Sequence, residues 1–263
     1  MSVITSSQNS KIKLVRALMG RAKERREANA FVVEGVRLIE EAVISNWGFQ
    51  FALYDETLSE RGKSLVESLK SKGIEVEMVS ESLIKSLSET ETPQGILAVL
   101  ILTQLPITNP LNFVLIPDQI RDPGNLGTLL RTAAATGVQA VLLPPETTDA
   151  FAPKVVRSGM GAHFRLPIHS MTWEEIREYI KDLQVYLADM EGKSCWETDL
   201  RQPLALILGS EAEGASEEAR KLATQKISIP MAGNVESLNA AVAGSVLMFE
   251  VVRQRYSNEG TST

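Results

Sequence analysis

The chain is poor in the residues that build disulfide frameworks and zinc sites. Of its 263 residues, one is cysteine and two are histidine. A single cysteine, Cys195, cannot form an intramolecular disulfide. With so few sulfur and nitrogen ligands available, a zinc site is not expected either. We therefore predict neither a disulfide-stabilised fold nor a metal site.

Long apolar runs are also missing. No stretch approaches the roughly 20 apolar residues that span a bilayer, and residues 1–10 are polar, without the apolar core of a signal peptide. These absences predict a cytoplasmic protein that does not use a membrane. The sequence also lacks Gly-x-Gly-x-x-Gly after a strand and the Gly-Lys-Ser/Thr of a phosphate loop, which argues against ordinary dinucleotide and nucleoside-triphosphate binding.

Basic charge is scarce overall but concentrated near the N-terminus. The net charge is −6, with 27 basic and 33 acidic side chains, whereas nucleic-acid-binding proteins usually present a basic surface. Residues 1–26, however, carry seven basic groups and one acidic group. This basic arm is interpreted either as an RNA contact, with Lys23, Arg25 and Arg26 as candidates, or as the solvated face of a helix.

The first half of the chain mixes helical and strand patterns. It ends in the apolar run at residues 95–102, which is typical of a buried strand. The other elements predicted there are helices at residues 36–44 and 63–72 and strands at residues 49–54 and 74–79. Residues 103–112, which hold two prolines, are the best linker candidate.

The second half alternates strands and helices, which predicts a parallel sheet covered on both faces. Its predicted strands are residues 113–117, 140–143, 185–188, 204–208 and 226–229. Helices are predicted at residues 125–136, 172–183, 217–223 and 237–255. The last of these is apolar over most of its girth (LNAAVAGSVLMFEVV), a pattern typical of a helix buried in a core or at a subunit interface.

Three loops that follow predicted strands of the second half have unusual compositions. In parallel sheets, ligands bind in such loops, at the carboxyl ends of the strands. The first loop, residues 118–127 (DQIRDPGNLG), runs into a helix that carries Arg131. Its glycines permit close approach of a ligand to the backbone, and Arg131 is suited to hold a phosphate. The alternative is an ordinary turn followed by a surface arginine.

Of the other two loops, the second is acidic and the third has a mixed composition. Residues 209–214 (GSEAEG) offer Glu211 as an acid, a base or a hydrogen-bond acceptor; the alternative is a turn whose glutamates favour the next helix N-terminus. Residues 229–239 (IPMAGNVESLN) offer backbone groups and a thioether beside an apolar wall, a setting suited to an adenosyl ligand. The alternative is that Ser237 or Asn234 caps the last helix.

Together the three loops resemble the three motifs of the SpoU/TrmH family of SPOUT methyltransferases. The matching stretches are DPGNLGTLLRTAAATG (122–137), LILGSEAEG (206–214) and ISIPMAGNVESLNAAVA (227–243), in the family's order and spacing. In the first half, residues 31–42 and 90–99 resemble the substrate-binding domain often fused to these enzymes. The chain departs from the family pattern after Asn239, where Ala240 and Ala241 stand in place of the usual Val-Ser.

The resemblance implies an α/β fold in which a trefoil-knotted, parallel-sheet SPOUT methyltransferase domain is preceded by a smaller ribosomal-protein-like α/β domain that binds RNA. The expected organisation is an RNA substrate-binding domain over residues 1–104, a linker over 105–112, the methyltransferase domain over 113–257 and a disordered tail over 258–263. It also implies a homodimer formed through the C-terminal domain, with the active site at the subunit interface.

The same resemblance implies transfer of a methyl group from S-adenosylmethionine to a ribose 2′-hydroxyl of RNA, with ribosomal RNA favoured over transfer RNA. Cofactor contacts are expected from Leu208, Gly209, Ile229, Met231 and Leu238. Catalytic or RNA-orienting roles are expected for Asn125, Arg131, Glu211, Ser237 and Asn239. The alternatives that stay open are a non-catalytic RNA-binding or assembly factor, a methyltransferase that modifies a base, and a small-molecule α/β enzyme.

Overall fold

The computed structural model describes residues 3–210, 213–233 and 237–256. The helices in these residues are α1 (Ser10–Gly20), α2 (Ala22–Glu27), α3 (Val36–Ile44), α4 (Glu60–Ser71), α5 (Glu81–Leu87), α6 (Pro123–Ala135), α7 (Pro153–Gly159), α8 (Trp173–Ile180), α9 (Glu217–Leu222) and α10 (Ala240–Tyr256). The strands are β1 (Ala30–Glu34), β2 (Phe49–Tyr54), β3 (Val76–Met78), β4 (Ile96–Ile101), β5 (Phe113–Pro117), β6 (Ala140–Leu143), β7 (Ile168–Ser170), β8 (Gln184–Ser194), β9 (Leu204–Leu208) and β10 (Gln225–Ser228). Within this part of the chain, none of the helices has both the length and the apolar character needed to cross a membrane.

These elements form two compact units. The first unit comprises Met1–Thr103 and Phe151–Phe164, and the second comprises Gln104–Ala150 and Arg165–Thr263. Helix α7 therefore belongs to the first unit, although it lies between elements of the second unit in sequence. The domain boundaries expected from the sequence, which assign the chain as continuous stretches, remain a prediction.

The first unit is built on a four-stranded sheet with the order β1-β4-β2-β3. Strand β4, predicted from its apolar run, pairs antiparallel with both β1 and β2, and all of its residues but Ile101 are buried. Helices α1 and α5 cover the sheet with apolar side chains such as Leu18 and Leu87. Segment Phe151–Phe164 packs on the same unit through aromatic contacts, including Phe151 against Phe31 at 5.0 Å between ring centroids.

The second unit is built on a six-stranded sheet with the order β10-β8-β9-β5-β6-β7. Every neighbouring pair is parallel, which confirms the parallel sheet predicted from the alternation of strands and helices. The chain leaves β5 towards β6 and leaves β9 towards β10, so the connections after these two neighbouring strands run in opposite directions. Such a switch opens a crevice at the carboxyl ends of the strands, where ligands bind in α/β sheets.

Several predicted boundaries are confirmed and others are wrong. Strands β5, β6 and β9 have the predicted limits. The sequence predicts that β8 ends at residue 188, but the strand continues to Ser194, because residues 188–192 leave the pairing with β10 and the strand then rejoins it. The sequence predicts a last helix from residue 237, but α10 begins at Ala240, since Asn239 caps it by accepting hydrogen bonds from two backbone N–H groups.

Candidate active site

A cavity of about 550 Å³ lies beyond the carboxyl ends of β9 and β10, beside residues 188–191 of β8. Its volume falls within the range of roughly 300–1,000 Å³ that is usual for small-molecule sites. The five residues predicted to contact the cofactor all line it, namely Leu208, Gly209, Ile229, Met231 and Leu238. Loops that are far apart in sequence therefore contribute to one cavity.

The loop after β9 reaches the cavity with its backbone rather than with bulky side chains. A Cβ atom on Gly209 would lie 2.5 Å from backbone atoms of Gly214 and Ala215. Ser210 and Gly214 exchange two backbone hydrogen bonds of 2.9 and 3.1 Å, and Gly214 has a φ of +73°, a conformation that glycine adopts without strain. The predicted catalytic residue Glu211 belongs to this loop but lies outside the described residues.

Two of the predicted catalytic side chains are in direct contact. Asn239 Nδ2 donates a hydrogen bond of 3.0 Å to Asn125 Oδ1. Each asparagine is fixed at the start of a helix, because Asn125 N–H donates to the N-cap Asp122 of α6 and Asn239 caps α10. The neighbouring Ser237 lines the cavity. The structure thus brings together the starts of two helices that carry these predicted residues.

Arg131 lies on the exposed side of α6. Like Asn125 and Asn239, it is not among the residues that line the cavity. Across residues 3–210, 213–233 and 237–256, the Arg131 guanidinium makes no hydrogen bond or ion pair. The described residues of a single copy therefore leave this guanidinium available to solvent.

Asp118 is a buried carboxyl group that is not among the predicted site residues. Its Oδ2 accepts a 2.6 Å hydrogen bond from Ser216 N–H, and its own N–H donates to the Leu208 carbonyl at 2.8 Å. Oδ1 is buried and has no hydrogen-bond partner among the described residues. Burial raises the pKa of the Asp118 carboxyl, and the hydrogen bond from Ser216 only partly offsets this. Through these hydrogen bonds, Asp118 connects the carboxyl end of β5 with both ends of the loop between β9 and α9, at Leu208 and Ser216.

Charged side chains form another part of the cavity wall. Asp189 Oδ2 lies 2.9 Å from Lys226 Nζ and 3.5 Å from Arg220 Nη1, and Asp189 Oδ1 accepts a hydrogen bond from Glu191 N–H. Burial acts to raise the pKa of the Asp189 carboxyl, but the hydrogen bonds and positive charges around it lower the pKa overall. Both Asp189 and Asp118 directly follow an apolar run predicted as a strand, and this signal could have identified them from the sequence.

The predicted RNA-binding side chains of the basic arm have different surroundings. Lys23 is exposed and lies 3.6 Å from Glu27, and Arg26 is also exposed. Arg25 is only 3% exposed, and its Nη1 donates a 2.6 Å hydrogen bond to the Leu18 carbonyl. The expectation that Arg25 contacts RNA is corrected by this geometry, because the guanidinium is buried within the first unit.

Comparison with known proteins decides the family. Residues 112–249 match the model of the SpoU rRNA methylase family, and residues 9–98 match the MRM3-like substrate binding domain. The chain belongs to the SpoU rRNA methylase family. The family match includes all three loops predicted to carry the site, and the second match covers most of the first half of the chain. Among the described residues, no group of three or more His, Cys, Asp or Glu side chains is arranged to hold a metal ion.

Relatives of this SpoU chain include rRNA methyltransferases that it matches along nearly its whole length. It is 34% identical over 257 residues to the 23S rRNA (guanosine(2553)-2′-O)-methyltransferase RlmP of Bacillus subtilis, covering 95% of this chain and 99% of the relative. It is 32% identical over 274 residues to the 23S rRNA (uridine(2479)-2′-O)-methyltransferase of Streptomyces viridochromogenes, covering 98% and 94%.

A solved structure confirms the fold class. The crystal structure of the SpoU methyltransferase AviRb from Streptomyces viridochromogenes, in complex with the cofactor AdoMet, matches this chain with a TM-score of 0.86 and 30% identity. The match covers 95% of this chain and 99% of AviRb. The predicted α/β fold with a parallel-sheet SPOUT methyltransferase domain is therefore confirmed.

Proposed function

We propose that this SpoU family member transfers a methyl group from S-adenosylmethionine to a ribose 2′-hydroxyl of ribosomal RNA. The observation that carries the proposal is the single cavity lined by all five residues expected to contact the cofactor. The printed activities of two relatives, both 23S rRNA 2′-O-methyltransferases, support the same reaction. The trefoil knot and a cytoplasmic location remain predictions.

The cavity has the chemistry that an adenosyl ligand requires. Buried apolar side chains, among them Leu208 and Leu247, offer a surface for the adenine ring. The absence of a side chain at Gly209 lets a ligand approach the loop backbone closely. S-adenosylmethionine bound there supplies an electrophilic methyl group on a sulfonium. The remaining task of the chain is to hold the acceptor hydroxyl in line and to stabilise the charge that forms on its oxygen.

Arg131 is assigned the role of a clamp on the RNA. A ribose hydroxyl is a weak nucleophile at neutral pH, and holding it in the reactive geometry is worth on the order of 7–11 kcal/mol. A guanidinium, which stays protonated in proteins, is a poor base but a good partner for a phosphate and for a developing oxyanion. Asn125 and Asn239 orient the ribose or Arg131, with Glu211 and Ser237 as further candidates for this role.

A homodimer is part of the proposal. Helix α10 exposes a row of apolar side chains, Val242, Val246 and Phe249, which are 49%, 38% and 53% exposed. Their spacing of four and three residues places them on one face of the helix. A second copy packed on this face would cover the apolar surface that a single chain leaves in solvent, in keeping with the symmetric interfaces usual in homodimers. If the active site lies at this interface, the exposed Arg131 would form part of it in the dimer.

Replacing Phe249 with Asp is expected to convert the dimer into monomers, because a charge buried at an apolar interface without a partner is strongly unfavourable. Size-exclusion chromatography with light scattering measures the mass. Tyr179→Asp on α8, where the aromatic side chain is 42% exposed, is the matched control and should remain dimeric. A wild-type chain that is monomeric at micromolar concentration would contradict the proposed dimer.

The basic arm gives a prediction that separates binding from folding. The double substitution Lys23→Ala and Arg26→Ala is expected to weaken RNA binding and to reduce its salt dependence, by about 0.7–0.9 in log–log slope for each phosphate that is no longer neutralised. Arg25→Ala is instead expected to lower the free energy of unfolding by about 1–3 kcal/mol, because it leaves a buried carbonyl unsatisfied. Binding titrations at several salt concentrations and urea unfolding measure the two effects. A salt dependence that the double substitution leaves unchanged would exclude the arm as an RNA contact.

A methyl-transfer reaction tests the proposed function directly. The full chain is incubated with ribosomal RNA and S-adenosylmethionine labelled in its methyl group. We expect the label in alkali-resistant dinucleotides, because a 2′-O-methyl group blocks hydrolysis of the neighbouring phosphodiester. Label on a nucleobase would instead support a base methyltransferase, and binding of RNA without any methyl transfer would support an assembly factor.

A further inference from the structure

Arg220 brings a guanidinium with available donors to the cavity wall. Its Nε donates a 3.1 Å hydrogen bond to the Ala215 carbonyl, and its Nη1 lies 3.5 Å from Asp189 Oδ2. Its Nη2 makes no hydrogen bond within the part of the chain that the structure describes, and the side chain is 46% exposed. A Cβ atom on Gly214 would come within 3.2 Å of Nη2, so the glycine leaves space beside this group.

The surroundings of Arg220 present charges of both signs. Asp189 Oδ2 is shared between Arg220 and Lys226, so two cations meet one carboxylate. Lys226 Nζ also lies 3.6 Å from the carboxylate of Glu191, whose side chain is 86% exposed. These four residues are called the charged cluster. Three of them line the cavity, whereas much of the remaining lining, such as Leu208, is apolar and buried.

The charged cluster is held in place by the irregular part of β8. Residues 188–192 leave the pairing with β10, which brings Asp189 and Glu191 to the cavity. Gly192 makes this path possible, because a Cβ atom there would lie 2.5 Å from the Ile227 backbone nitrogen. Ser228 Oγ donates a 2.8 Å hydrogen bond to the Gly192 carbonyl. The contacts of Gly192 with Ile227 and Ser228 fix the path of the backbone. The fold itself therefore positions the charged cluster.

We propose that the charged cluster binds the amino-acid end of the cofactor, with Arg220 holding its α-carboxylate. This inference rests on the proposed function, since it assigns one end of the ligand that the cavity takes. Adenosine carries no formal charge and suits the apolar lining, whereas the amino-acid end carries a carboxylate and an ammonium group. A guanidinium matches a carboxylate with two parallel N–H donors, and the exposed Glu191 carboxylate is the partner for the ammonium group.

Calorimetry with two ligands that share the adenosine but differ in the amino-acid end tests this assignment. S-adenosylhomocysteine carries the amino-acid end, and 5′-methylthioadenosine lacks it. Arg220→Ala is expected to raise the Kd for S-adenosylhomocysteine by about tenfold or more, as for the removal of a hydrogen bond between charged groups. The Kd for 5′-methylthioadenosine should stay unchanged. Arg220→Lys, which keeps the charge without the planar fork, should restore part of the affinity.

Lys221→Ala is the matched control, because it removes the same charge from the next residue of α9. Lys221 is paired with Glu217 at 3.5 Å and does not line the cavity, so both ligands should bind to this variant as to the wild type. Equal weakening of both ligands by Arg220→Ala, or no weakening of either, would overturn the assignment. If Arg220→Ala weakens only RNA binding, the guanidinium belongs to the RNA site instead. A wild-type chain that binds neither ligand would overturn the proposed function itself.

Discussion

Arg131→Ala is expected to lower the rate constant of methyl transfer by about 10²–10³-fold, the usual effect of removing one donor that stabilises transition-state charge. The Kd for S-adenosylmethionine should not change, because Arg131 lies outside the cavity lining. Single-turnover kinetics with ribosomal RNA measures the first quantity, and calorimetry measures the second. Loss of transfer with intact cofactor binding is the combination expected of a group that acts on the RNA.

Two further variants make the Arg131 result specific. Arg177→Ala removes an exposed arginine from α8, and we expect near-normal transfer because this residue lies outside the three motif stretches, residues 122–137, 206–214 and 227–243. Arg131→Lys keeps the positive charge but loses the bidentate geometry, so it should rescue the rate poorly. Near-normal transfer by Arg131→Ala would show that the clamp is assigned to the wrong residue.

Gly209→Ala is expected to weaken cofactor binding by about 5- to 150-fold, which corresponds to the usual cost of overpacking, about 1–3 kcal/mol. The added Cβ atom would lie 2.5 Å from the backbone of Gly214 and Ala215, and a backbone cannot move aside as a flexible side chain can. Calorimetric titration with S-adenosylmethionine measures the effect. RNA binding should persist, because Lys23 and Arg26, the predicted RNA contacts of the basic arm, lie in the first unit of the chain.

Gly20→Ala is the control for this substitution. A Cβ atom on Gly20 meets no heavy atom within 4 Å, so the added methyl group is accommodated without strain. Cofactor affinity should equal that of the wild type, and thermal unfolding of both variants shows whether either has lost its fold. Unchanged cofactor affinity in a folded Gly209→Ala variant would show that the loop after β9 does not form part of the cofactor site.

The sheet of the second unit is predictable from the sequence for a definite physical reason. Strands buried on both faces must be apolar throughout, so β5, β6 and β9 stand out as short apolar runs with clear limits. Loops at the carboxyl ends of such strands hold the ligand, which is why loop composition points to Gly209. The extension of β8 is not predictable in this way, because its return to β10 depends on a pairing register that no local pattern contains.

Features of the site and of the fold that the sequence does not reveal depend on tertiary contacts and not on local sequence patterns. Seven basic groups in one arm give no sign that Arg25 alone turns inward to the Leu18 carbonyl. The sequence indicates only that Arg220 belongs to a charged helix. The structure places Arg220 beside Asp189. Segment Phe151–Phe164 joins the first unit through packing that includes Phe31, and such packing has no local sequence signature.

Mapping of 2′-O-methyl groups in ribosomal RNA, with and without this chain in its cell, tests whether the chain methylates ribose in ribosomal RNA. We expect that a 2′-O-methyl group is lost when the chain is removed. The wild-type chain should restore this group, and Arg131→Ala should not. An unchanged 2′-O-methyl map, or the loss of a base methylation in its place, would show that the chain is not a ribose methyltransferase of ribosomal RNA.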